Sequence, residues 1–217
     1  MRRLLPFHAL LVYLFLYLPI LVVVALSFNE SRRGVHFTGF TLKWYQGLFQ
    51  DPRVLEYFAN TLVVALVSTL VSTVLGALLA LGLVRYRFPG KGFLRYLLYV
   101  PVVVPDVVMG VSLLLLFAFS RELLGFPRLS LLTVILGHIT FQVAFVTLVV
   151  RSRLLLLDPA LEEAARDLGA RGFQTFLHVT LPLAWPGVAA GALLALTLSL
   201  DDFVVTFFTA GPGATTL

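Results

Sequence analysis

Residues 162–182 read "EEAARDLGARGFQTFLHVTLP", a charged, helix-forming stretch set between two long apolar runs. The chain around it is 59% hydrophobic and 12% charged, whereas soluble domains average roughly 45–50% and about 25%. This is the composition of a membrane protein, so the stretch reads as a loop between two spans. Asp158 is placed to cap a first helix with Pro159 at its first position, and Gly169 supplies a left-handed stop. A second short helix is expected over 173–180, ended by Pro182. Ala164 and Ala165 leave little side chain beside Glu163, so this face suits a groove on another protein. The pattern alone serves a surface amphipathic loop helix equally well.

A spanning helix needs about 20 mostly apolar residues. Five windows meet this: 8–27, 58–84, 94–119, 129–150 and 185–209. The first is too long for the core of a secretory signal, which runs to about 15 residues, and reads as an uncleaved span. The connecting segments are 28–57, 85–93, 120–128 and 151–184, and the whole of 1–217 reads as one transmembrane domain. A cytoplasmic N-terminus places Arg2, Arg3, Arg85, Arg87, Lys91, Arg95, Arg151, Arg153, Arg166 and Arg171 inside. Arg32, Arg33, Lys43, Arg53, Arg121 and Arg128 then lie outside. This bias orients the chain, the short basic loop "RYRFPGKGFLR" being its sharpest part. The net charge of +5 belongs to such loops and not to a nucleic-acid surface.

Within the spans, Ser68, Ser72, Gly76 and Ala80 recur every four residues, a small-residue stripe where another helix approaches closely. Pro101 and Pro105 each remove a backbone donor, so the third span is kinked or unwound there. Asp106 follows. Counted along a continuous helix from Arg95, it lies roughly 16 Å deep, where a carboxylate costs on the order of 2.5–3.5 kcal/mol and belongs on a water-filled path. Capping of amides freed beside Pro105 is the alternative. Asp201 and Asp202, counted along a helix from Trp185, lie toward the outer face and point about 100° apart; one can line a path while the other pairs locally or reaches the interface. Acids without an intramembrane Lys or Arg favour a cationic cargo. His138 reads as a hydrogen-bonded helix contact. The four His make no metal site, there is no Cys, and no phosphate-binding, metallopeptidase or nucleophile-elbow motif is present.

The spacing Glu163-Ala164-Ala165, three residues, Gly169, nine residues, Val179, one residue, Leu181-Pro182 resembles the EAA loop of membrane subunits of binding-protein-dependent ABC importers, with Val179 where Ile is usual. Beyond the loop, "SFNESRRGVHFTGFTLKWYQGLF", "RYRFPGKGF", "PDVVMGVSLLLLF", "GHITFQVAFV" and "LSLDDFVVTFFTAGPG" resemble PotC-type permeases of spermidine/putrescine importers. The resemblance implies an all-α integral membrane bundle of the MetI-like permease type in a bacterial inner membrane. It implies a coupling loop in which Glu163, Ala164, Ala165 and Gly169 contact an ATPase subunit dimer. Arg166 and Asp167 are neighbours, and Leu181 and Pro182 close the motif. The chain itself would be non-catalytic and bind no cofactor, with ATP and Mg²⁺ on the partner ATPase. A second homologous permease and an extracytoplasmic substrate-binding protein complete the assembly it implies, and Asp106, Asp201 and Asp202 become candidates to guide protonated amines. Such permeases continue past "GPGATTL" into a sixth span, so the expectation is a five-span bundle with the usual sixth absent. A permease for another small solute, an ion-coupled carrier and an intramembrane aspartyl protease are the rival readings; the carrier leaves the EAA spacing unexplained, and the protease wants an Asp facing Asp106 at equal depth, whereas Asp201 and Asp202 read as lying too far outward.

Overall fold

The computed structural model describes residues 4–31 and 36–217, with side chains from Pro6 onward. Arg2, Arg3, Arg32 and Arg33, part of the orientation argument, lie outside the described residues. The backbone divides into two units, Met1–Glu56 and Tyr57–Leu217.

The first unit opens with α1 (Leu4–Ser27). Side chains from Pro6 to Ala25 are all exposed, and an apolar helix of this length with nothing buried requires a nonaqueous surrounding. The chain then turns back through an antiparallel bridge between Asn29 and Phe40. Asn29 holds the turn: its Oδ1 accepts from Thr38 N at 2.9 Å and its Nδ2 donates to His36 O. Helix α2 (Lys43–Gln50) follows, and α3 (Pro52–Arg85) begins within this unit and continues through the second.

In the second unit, α4 (Lys91–Leu97), α5 (Val100–Val103) and α6 (Asp106–Leu124) replace the single third span expected over 94–119. The helix breaks at Val104, whose ψ of 130° is extended, because Pro105 excludes the residue before it from helical geometry and offers no amide. The depth assigned to Asp106 by counting along an unbroken helix from Arg95 therefore does not hold. Helix α7 (Leu131–Leu155) outruns the expected 129–150 by a turn and shortens the loop that follows. After α8 (Ala160–Asp167), the chain is helical from Gly172 to Asp201: α9 (Gly172–Thr175), a wide π turn (Phe176–Thr180) and α10 (Leu181–Asp201). Pro182 thus does not end a separate short helix. It sits in the first turn after the widened segment, where its missing donor and its ring are tolerated. The fifth span ends at Asp201, not at 209, and α11 (Val204–Thr209) is a separate turn of helix.

Helix α7 is the centre of the unit. On one side Val146, Val150 and Leu154 pack against Ala80 of α3 and Ala184, Val188 and Ala195 of α10. On another, Phe141 packs with Leu113 and Phe117 of α6 and Val205 of α11. The α3 stripe faces this contact: Ser68, Ser72 and Ala80 are fully buried, and a Cβ on Gly76 would come within 2.7 Å of Val146. Apolar attraction between helices is weak in lipid, so such close backbone approach and interhelical hydrogen bonds carry the association. Gln142 supplies two of these bonds, accepting from Ser72 Oγ at 2.9 Å and donating to Ala195 O at 3.1 Å.

Candidate functional site: a carboxylate recess and an anchored loop helix

The two helix breaks face each other. Asp106 is the first residue of α6, Asp201 the last of α10, and Asp202 fills the gap before α11; all three line one recess of about 200 Å³. The rest of its lining is apolar, including Pro101, Val104, Met109, Phe141 and Phe145, and no Lys or Arg borders it. The three carboxylates are not equivalent. Asp202 accepts from Thr206 N at 2.9 Å, Thr206 Oγ1 at 3.1 Å and Val205 N at 3.3 Å, so it caps α11. Its Oδ2 also lies 3.3 Å from His138 Nε2. Asp106 and Asp201 are exposed and, among the described residues, take no hydrogen bond or ion pair. They are the carboxylates free to meet a ligand, and Asp106 caps no amide through its side chain.

His138 is buried at 1% exposure. Its ring reaches Ser199 Oγ of α10 at 2.7 Å and Thr206 Oγ1 of α11 at 2.9 Å. It is the hydrogen-bonded helix contact expected from its position, joining α7 to α10 and α11. Its approach to Asp202 is legible only in three dimensions, since the two lie on different elements.

The loop helix lies at the other end of α10. Asp158 Oδ1 accepts from Ala160 N at 2.9 Å, opening α8. Gly169, at φ +90°, closes it. Bonds from Gly169 N to Arg166 O and from Ala170 N to Ala165 O satisfy the terminal carbonyls, the pairing of a glycine-stopped helix. Glu163, Ala164, Arg166, Asp167 and Gly169 are exposed and Ala165 is half-buried. Leu181 and Pro182 are not on this helix but at the base of α10. Glu162 is the residue the sequence reading passed over. It is buried, its Oε1 accepts from Arg85 Nε at 3.0 Å and Thr180 Oγ1 at 2.9 Å, and its Oε2 lies 3.8 Å from Arg166 Nη2. The one sequence signal for this was the 162/166 spacing of acid and base; Arg85 and Thr180 gave none.

Residues 72–217 match the family described as binding-protein-dependent transport system inner membrane component. The chain is 44% identical over 201 residues to the spermidine/putrescine transport system permease protein PotC of Escherichia coli (strain K12), covering 93% of this chain and 74% of that one. It is 42% identical over 210 residues to the putrescine transport system permease protein PotI of the same strain, covering 96% and 75%. In fold it is similar to a bacterial ABC transporter involved in the import of the acidic polysaccharide alginate, with TM-score 0.76 at 18% identity over 99% of this chain and 82% of that chain. A complex of a bacterial alginate ABC transporter with an alginate pentasaccharide-bound periplasmic protein gives TM-score 0.74 at 20% identity, covering 99% and 79%. The matched region contains the recess, α8 and the helices between them, and the chain belongs to the family of binding-protein-dependent transport system inner membrane components.

Proposed function

We propose that the chain is the permease subunit of an ATP-driven importer of polyamines, spermidine and putrescine among them. The observation that carries the cargo class is the recess in which Asp106, Asp201 and Asp202 converge with no neighbouring cation. A chain of protonated amines offers the positive charges that exposed carboxylates at helix breaks would hold, and its methylene segments suit the apolar walls. Broken helices meeting at a cavity are a recurrent way for transporters to present polar groups within a membrane. The names of the 44% and 42% identical relatives support the same class.

In this reading α8 seats in an ATPase subunit through Glu163, Ala164, Ala165 and Gly169, with Arg166 and Asp167 beside them. ATP, with Mg²⁺, is hydrolysed there and not by this chain. A second homologous permease completes the pathway, and an extracytoplasmic binding protein delivers cargo to the face opposite α8. The N-terminus and α8 lie on the cytoplasmic side of the inner membrane, as the Arg85, Arg87, Lys91 and Arg95 cluster favours. ATP-driven closure pushes α8 and swings the recess from one side of the membrane to the other.

The test is co-expression with the ATPase, second permease and binding-protein subunits, followed by radiolabelled spermidine uptake. Asp106→Asn and Asp201→Asn should each lower uptake by about tenfold, a coupling-scale loss. Wild-type uptake in Asp106→Asn, Asp201→Asn and Asp202→Asn alike would exclude the carboxylate reading.

A further inference from the structure

Glu162 is, among the described residues, the one Asp, Glu, Lys or Arg that is buried, at 8% exposure. A buried charge persists where partners compensate its desolvation, and removing one partner leaves the other uncompensated. Here the close partners come from two other elements. Arg85 is the last residue of α3, and its Nη2 lies 2.9 Å from Glu162 Oε1. Thr180 ends the π turn directly before α10. Glu162 itself sits in the first turn of α8. One carboxylate oxygen therefore joins the loop helix to the ends of two membrane helices.

The next residue, Glu163, is exposed. Adjacent residues on a helix point about 100° apart, so the two acids face opposite tasks, Glu163 outward and Glu162 inward. Held only by its flanking turns, α8 would swing when pushed and leave the spans in place. With Glu162 bound to Arg85 and Thr180, displacement of α8 carries α3 and α10 with it. Helix α10 then extends about 30 Å to Asp201, at the recess.

We propose that Glu162 is the positioning residue that makes α8 and the bases of α3 and α10 move as one body, so that force applied at α8 reaches the carboxylate recess. This rests on the reading of α8 as the ATPase-facing helix. The Arg85 partner and the wide π turn are both part of the device: Arg85 fixes the charge, and the loosened turn before α10 is where motion would otherwise be absorbed.

The test uses the full transporter complex reconstituted in vesicles. Because the chain has no Cys, spin labels at Leu161→Cys on α8 and Leu193→Cys on α10 report one distance. That separation stays constant through the ATP cycle in the otherwise wild-type protein and becomes ATP-dependent in Glu162→Gln. Spermidine transported per ATP hydrolysed falls by about tenfold in Glu162→Gln and in Arg85→Gln, while the ATPase subunit stays bound. The charge reversal Arg85→Glu with Glu162→Arg restores the ratio to within about twofold. Thr180→Val, which removes one hydroxyl, gives a smaller loss in the same direction and decides the matter should the charge variants fail to reach the membrane. An ATP-independent label distance in Glu162→Gln, or a reversal pair no better than its single variants, overturns the proposal. Glu163→Lys separates this from failure of the underlying reading: it should release the ATPase subunit, and retention of that subunit with full transport would overturn the ATPase-facing assignment of α8 and this proposal with it.

Discussion

Asp202 and His138, 64 positions apart in a chain of 217, meet at 3.3 Å between Oδ2 and Nε2 at the junction of α7, α10 and α11. His138 bridges Ser199 and Thr206 while Asp202 caps α11. Removing the carboxylate in Asp202→Ala leaves the freed amides of Val205 and Thr206 without an acceptor, a loss of about 1–3 kcal/mol. Thermal unfolding of the detergent-solubilised protein should show the drop, and His138→Ala combined with Asp202→Ala should cost less than the sum of the single changes.

Asp106 and Asp201 should behave oppositely. Neither supports a neighbour, so Asp106→Asn and Asp201→Asn should leave the unfolding free energy within about 0.5 kcal/mol of wild type. Their effect should be confined to uptake. A midpoint shift as large as that of Asp202→Ala would show that they are structural groups.

Two glycines of α3 make a paired test of helix packing. Alanine at Gly76 puts a methyl 2.7 Å from Val146, whereas nothing lies within 4 Å of a Cβ at Gly82. Gly76→Ala should destabilise by about 1–3 kcal/mol through overpacking. Gly82→Ala should be neutral or stabilising by up to about 1 kcal/mol. Equal effects in a denaturation series would count against the close contact of α3 with α7.

The Gly169 turn responds to backbone conformation alone, because no atom stands within 4 Å of its missing Cβ. Gly169→Ala forces an L residue to φ +90° at a cost of about 1–2 kcal/mol, and Gly169→Asn should be milder. ATPase-subunit capture should follow the order glycine, asparagine, alanine. Alanine binding as well as glycine would mean the turn is not part of that contact.

The loop helix and its stop were legible because they rest on local chemistry. Asp158 and Gly169 act on backbone groups within a turn of their own positions, and the Ser68 to Ala80 stripe shows its four-residue period without reference to any neighbour. The continuity from Gly172 to Asp201 was not legible, since Pro182 reads as a helix stop unless the preceding turn widens to accept it. Asp106, Asp201 and Asp202 stood out as charges in apolar runs, but their convergence depends on two helix breaks facing one another.

Sequence by itself determined that this is an integral helical bundle with a charged loop helix, because a bilayer admits only long apolar segments whose backbone bonds are internal. Tertiary structure alone decided which of two adjacent acids does what. Glu162 turns inward to an Arg85 that lies 77 residues away, and Glu163 stays exposed. Asp202 is drawn to a His138 on another helix, and Asp201 is left free at the recess. In each pair the residues share a charge and a neighbourhood in the chain, so the 100° between them acquires meaning only when other helices occupy one side.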